Sequence, residues 1–173
     1  MQRHQMRQSI AQRFGAEAQR FVEWAEDAEA PEPMSAPVAL RRVVALYSAA
    51  LELPQPWSEG ASIRRDGELQ LAHRLARVRE RAAAIALQHY SEIFSPHLPQ
   101  DEPVVGDLAD DLVEIYRDVA TGLHLHRIGR IDDALWEWGF NFQVHWGEHA
   151  SSAIRALHCY LSREDPSGLS SSG

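Results

Sequence analysis

The chain has 173 residues, 45% hydrophobic and 24% charged, with only 10 Gly and 9 Pro, the balance of one ordinary globular domain around one core. A formal charge of -8 repels nucleic-acid phosphate and anionic lipid, so neither is expected as a partner. The opening MQRHQMRQSIAQRFGAEA lacks a leader's apolar stretch, AAAIAL at 82–87 is far too short to span a bilayer, and the lone Cys159 allows no intrachain disulfide, which together make cytoplasmic residence the expectation.

Helical spacing dominates, and no longer repeat recurs. Ile10, Phe14, Phe21, Val22 and Ala25 predict a first helix over roughly 8–28, with 1–7 flexible, and the acidic EDAEAPEPM ends it. Ser35 before Pro37 marks a second start. Leu40, Val43, Val44, Tyr47, Ala50 and Leu51 form its buried stripe, and Pro54 and Pro56 stop it. PQPWSEGAS reads as a loop. Asp66 is the expected cap of a third helix carrying Leu71, Leu75, Val78, Ala82 and Ile85, with His89 on the same stripe. The three prolines of SPHLPQDEPVVG at 95–106 predict a connection rather than an element.

A fourth helix is predicted from Asp107, with Asp110 three positions on as a weak capping box and Leu108, Leu112, Ile115, Tyr116, Val119 and Leu123 on its inner face. Gly129 suits the left-handed position that closes it, and Asp132 is the expected cap of the next helix. So short a join makes the two antiparallel. Over 132–161, Leu135, Trp138, Phe142, Trp146, Ala153, Leu157 and Tyr160 share one broad side, extended by Trp136, Phe140, Ile154 and Leu161. Only Glu137, Asn141, Glu148, Ser151 and Arg155 make a polar stripe. A helix this apolar belongs at the centre, and Gly139 and Gly147 are expected to bend it or split it near 147. The predicted architecture is an all-α, single-domain bundle of five or six helices over 1–165, with 166–173 a disordered tail.

HWGEH at 145–149 spells H-x-x-E-H, a short zinc-peptidase pattern. His145 and His149, four apart, lie one above the other on one helix face, as two imidazoles sharing a metal require. Glu148 falls about 100° away from His149, on the polar stripe. The peptidase class also needs an acidic ligand from a helix far downstream, and only Glu164 and Asp165 follow. A different metal site would draw on His89, His126 or the carboxylate row Asp111, Glu114, Asp118. The Glu-x-x-His pairs of di-iron bundles are absent. The bland alternative is two histidines each hydrogen-bonded through one nitrogen and packed against Trp138 and Trp146.

Asp107, Asp110, Asp111 and Glu114 crowd the first turns of the fourth helix, where the helix dipole favours them. Residues 64–81 hold Arg64, Arg65, Arg74, Arg77, Arg79 and Arg81 against three acids. If helices three and four are neighbours, these stripes face each other; otherwise each recruits a charged partner. No glycine-rich phosphate loop, G-x-S-x-G elbow or cysteine cluster occurs.

EIFSP at 92–96, GDLADDLVEIYRDVATGL at 106–123 and GRIDDALWEWGFNFQVHWGEHASSAIRALHCYL at 129–161 resemble an uncharacterised bacterial family, a domain of unknown function. The combination DDL-x-x-IYRD, W-x-W and HWG-x-H carries the likeness. It implies a small all-helical bacterial protein and brings no activity, cofactor or catalytic residue. The position of Glu148 is often basic in that pattern, which weighs against a catalytic role for it. The motif singles out Asp110, Asp111, Tyr116, Arg117, Asp118, Trp136, Trp138, His145, Trp146 and His149, either one site between the fourth and last helices or the contacts that dock them. A buried His–Asp pair, His149 with Asp111 or Asp118, would serve structure as well as chemistry.

The leading functional expectation is a non-enzymatic interaction or regulatory protein with a protein partner and no cofactor. The alternative is a metal-binding helical-bundle enzyme using His145 and His149 with an acidic or histidine ligand from a neighbouring helix.

Overall fold

Apolar residues spaced three and four apart form six α-helices in the computed structural model, which describes residues 2–27, 29–55, 68–93, 95, 97–99 and 101–164. Helix α1 (Gln2–Glu26) is helical from Gln2 rather than from residue 8, and Arg7 pairs with Asp132 at 2.9 Å. Helix α2 (Ala36–Ala50) starts after extended Ser35, with Pro37 in its first turn. Helix α3 covers Glu68–Ala82; the expected cap Asp66 and most of the loop before it lie outside the described residues, as does the tail from 165.

Beyond Ala82 the third helix stops, so His89 does not extend its stripe. It lies exposed on strand β1 (His89–Glu92), which pairs antiparallel with β2 (Val104–Asp107), Tyr90 opposite Gly106. Val104 to Gly106 therefore belong to an element and not only to a connection. Four-residue strands carry almost no periodic signal, and pairing with a distant segment decides them.

Asp107 ends β2 and caps α4 (Leu108–Arg127), its carboxylate accepting from the Asp110 amide at 3.1 Å. Gly129 takes φ 80, the left-handed geometry predicted for the turn. Helix α5 (Ile131–Asn141) then starts with Arg130 at its cap. Asp132 is thus one of two first-turn acids facing the helix dipole, not the cap.

From Ile131 to Arg163 the chain is one continuous helical rod, α5 leading through a π-helical turn (Phe142–Trp146) into α6 (Gly147–Arg163). Gly147 neither breaks nor splits it. A π-turn carries one extra residue and crowds a carbonyl against the residue five positions on. A Cβ at Gly147 would sit 2.1 Å from the Phe142 oxygen, so only glycine fits. The Trp146 indole donates to the Trp138 carbonyl at 3.3 Å across the same turn.

The C-terminal rod lies in the core as expected, with Leu135, Trp138, Trp146, Ala153 and Leu157 fully buried. It shares the centre with α4, thirteen of whose 20 residues are buried and which packs against α1, α3, α5 and α6. Phe14 of α1 meets Trp138 at 4.7 Å between ring centroids. The Trp138 indole donates to the Val119 carbonyl at 3.0 Å, and it occupies the space a side chain at Gly122 would need.

Candidate metal-binding site

Asp111, Glu114 and Asp118 stand at i, i+3 and i+7 on α4 and so share one face; His145 and His149 share a face of the rod. The antiparallel join at Gly129 brings the two faces together. His145 Nδ1 meets Asp118 Oδ2 at 2.7 Å, and His149 Nδ1 meets Asp111 Oδ1 at 2.9 Å. The imidazoles lie edge-to-face with centroids 5.0 Å apart. His145 Nε2 turns toward Glu114, 3.5 Å from Oε2. Glu114, His145 and His149 each present a donor atom within 4.8 Å of the others.

The hairpin completes one flank. Tyr90 donates its hydroxyl to Asp111 Oδ2 at 2.5 Å, its ring lying over Gly106 where any side chain would collide. Two residues along the same strand face, Glu92 accepts from Ser152 of α6. Arg117 pairs with Glu114 and lies 3.9 Å from Asp118. Arg79 of α3 pairs with Asp110 at the edge, whereas Arg74 pairs with Glu26 and Arg81 caps carbonyls of Trp24 and Ala25. Among the described residues, Arg74 and Arg81 thus tie α3 to α1, and Arg79 ties it to the acidic row of α4.

Electrostatics follow from this packing. The hydrogen bond to Asp111 is the main cause raising the His149 pKa above its ordinary value; burial opposes it, and the charges of Asp111, Glu114 and Asp110 add to it. Burial, then the bond and charge of Asp111, push the Tyr90 phenol upward, so it remains a protonated donor.

Of the ten residues singled out by the sequence, Asp110, Asp111, Arg117, Asp118, His145 and His149 meet here. Tyr116, Trp138 and Trp146 are core residues: Tyr116 binds Glu26, and Trp146 packs against Phe14 and Phe142 rather than against the histidines. Trp136 stacks on Phe140 at 4.7 Å on another side of the rod. His89 is exposed on its strand, and His126 is held against Gly15 and Trp138, its pKa lowered by burial and Arg127; neither joins the cluster. Glu148 is exposed. Tyr90 and Glu92 carry no sequence signal because they lie on a hairpin with no pattern of its own, and Ser152 of α6 joins them through Glu92.

A helical domain with a histidine–carboxylate cluster between two antiparallel helices is thus the class that fold and site define. The chain belongs to the family described as a domain of unknown function, DUF5063, whose model matches residues 5–163. None of the curated proteins matches it. A solved structure, protein BF1032 from Bacteroides fragilis, shares the fold at 21% identity and a TM-score of 0.59, covering 84% of this chain and 91% of that one. Among the described residues, no helix is long and apolar enough to cross a membrane.

Proposed function

We propose that this domain binds a divalent transition-metal ion through Glu114, His145 and His149. The single observation that carries the reading is the orientation of the imidazoles: each Nδ1 is held by its own aspartate. Carboxylates in that outer position fix the ring, select the tautomer and make the other nitrogen a better ligand. Two imidazoles and a carboxylate suit zinc, iron or manganese and leave coordination positions open.

Charge supports the same reading. With both imidazoles neutral, as metal ligands must be, Asp111, Glu114 and Asp118 face Arg117 among the described residues, an excess of two negative charges on buried and part-buried groups, since Arg79 already pairs with Asp110. A dication cancels it. Donor atoms around one metal lie roughly 3–4 Å apart for bonds of about 2 Å, so binding draws the three side chains slightly together.

Elemental analysis of protein purified without chelator tests the proposal. Stoichiometric zinc, iron or manganese in the native protein, lost in His145→Ala and His149→Ala, is the expected result. Native protein that stays metal-free after incubation with each ion, at concentrations where folded protein persists, overturns it.

A second reading, protein recognition through a helix face, is favoured by the exposed Phe140 and Val144, four residues apart on the rod with Trp136 stacked on Phe140. Phe140→Glu lowering self-association or partner capture without unfolding the domain is its expected outcome; no change counts against it.

A further inference from the structure

Arg117 enters the metal reading as a charge and not as a ligand. Its Nη2 meets Glu114 Oε2, the same oxygen that lies 3.5 Å from His145 Nε2, so the guanidinium borders the space in which Glu114, His145 and His149 converge. We propose that Arg117 and a metal held by those three residues together bind an oxyanion, the carboxylate or phosphate group of a small ligand. This rests on the metal reading above.

Three protein donors leave coordination positions for an outside ligand. Exposure shows which side solvent reaches: the Arg117, His145 and His149 side chains are 41%, 34% and 28% accessible, against 12% for Asp118 and 7% for Asp111. A ligand therefore arrives over the two imidazoles and Arg117.

Arg117 also has donors to supply. Once Glu114 shares its charge with a cation it holds Arg117 less strongly. Asp118 does not replace it, because its nearest approach to Arg117 is 3.9 Å and its other oxygen is committed to His145 Nδ1. A planar guanidinium released beside a metal matches two oxygens of a carboxylate or phosphate, one on each cation.

Charge balance favours the same ligand. A dication and Arg117 balance Asp111, Glu114 and Asp118, so an arriving anion meets no net negative charge from these groups; without Arg117 it meets one.

Cobalt(II) is the probe, since its visible absorption reports both occupancy and coordination change. Co2+ is titrated into native protein, Arg117→Gln and Arg117→Lys, with circular dichroism confirming fold, and inorganic phosphate or acetate is then added to each loaded protein. Saturable spectral change with at least one anion is expected in the native protein, with affinity lower by about tenfold or more in Arg117→Gln and intermediate in Arg117→Lys. The stronger of the two anions identifies the class. Loaded protein whose spectrum neither anion changes, or which binds them equally in all three proteins, overturns the oxyanion site and leaves the metal site standing. Absence of any His-dependent Co2+ spectrum overturns both.

Discussion

Tyr90 and His149 hold opposite oxygens of one carboxylate: the phenol donates to Asp111 Oδ2 at 2.5 Å while the imidazole meets Oδ1 at 2.9 Å. The Asp111 side chain is 7% accessible, so water replaces neither partner easily. Tyr90→Phe leaves Oδ2 without a donor at nearly unchanged volume. A loss of roughly 1–3 kcal/mol is expected, read from urea unfolding at pH 7. A loss below the error of the measurement would mean that the hairpin rests on the helices without that bond.

The same carboxylate sets a pH dependence in metal-free protein. The folded-state pKa of His149 is raised above the unfolded value of about 6.5. The imidazolium–Asp111 bond therefore stabilises the fold fully below that value and is lost as pH rises through the folded pKa. With chelator present, the stability difference between native protein and His149→Gln should shrink from pH 5.5 toward about pH 8.5. NMR titration of the ring should place its pKa above about 6.5 and lower it in Asp111→Asn. A difference that stays flat with pH contradicts the assignment.

Removing an outer carboxylate should weaken a bound metal without abolishing it. Asp118→Asn keeps a hydrogen-bonding group beside His145 Nδ1 but removes its charge. Affinity for Zn2+, measured by competition with a chromophoric chelator, is expected to fall about 10–100-fold. His145→Ala should lose binding altogether. Equal affinities in Asp118→Asn and native protein would assign the aspartate a packing role alone.

Gly147→Ala tests the π-turn. The added methyl meets the Phe142 carbonyl oxygen at 2.1 Å, and backbone must move to relieve it. A cost of roughly 1–3 kcal/mol follows from such overpacking. Because His145 and His149 flank this residue, metal affinity should fall as well. Gly129→Ala is the contrast: its φ of 80 costs about 1 kcal/mol of backbone strain, while nothing crowds an added methyl there and it lies before the helical rod that carries His145 and His149. Thermal unfolding of both, paired with the Zn2+ competition, separates the two effects.

Much of this architecture is legible in the chain. Spacings of three and four place Leu108, Leu112, Ile115, Val119 and Leu123 on the inner face of α4, and Leu135, Trp138, Trp146, Ala153 and Leu157 inside the rod, because helix periodicity is a local property. Asp107 as a cap and Gly129 at positive φ were readable for the same reason: each answers a need of its own neighbours. HWGEH announced two imidazoles on one face.

What waited for the tertiary structure is everything that depends on a partner far along the chain. His145 chooses Asp118 and His149 chooses Asp111 through the antiparallel register of two helices. The glycine within HWGEH closes a π-turn rather than breaking a helix. Tyr90 reaches the cluster only because β1 pairs with β2. Local sequence determines which side of a helix is apolar; which residues meet across two such sides is decided by packing, where the free energy belongs to pairs and not to either segment alone.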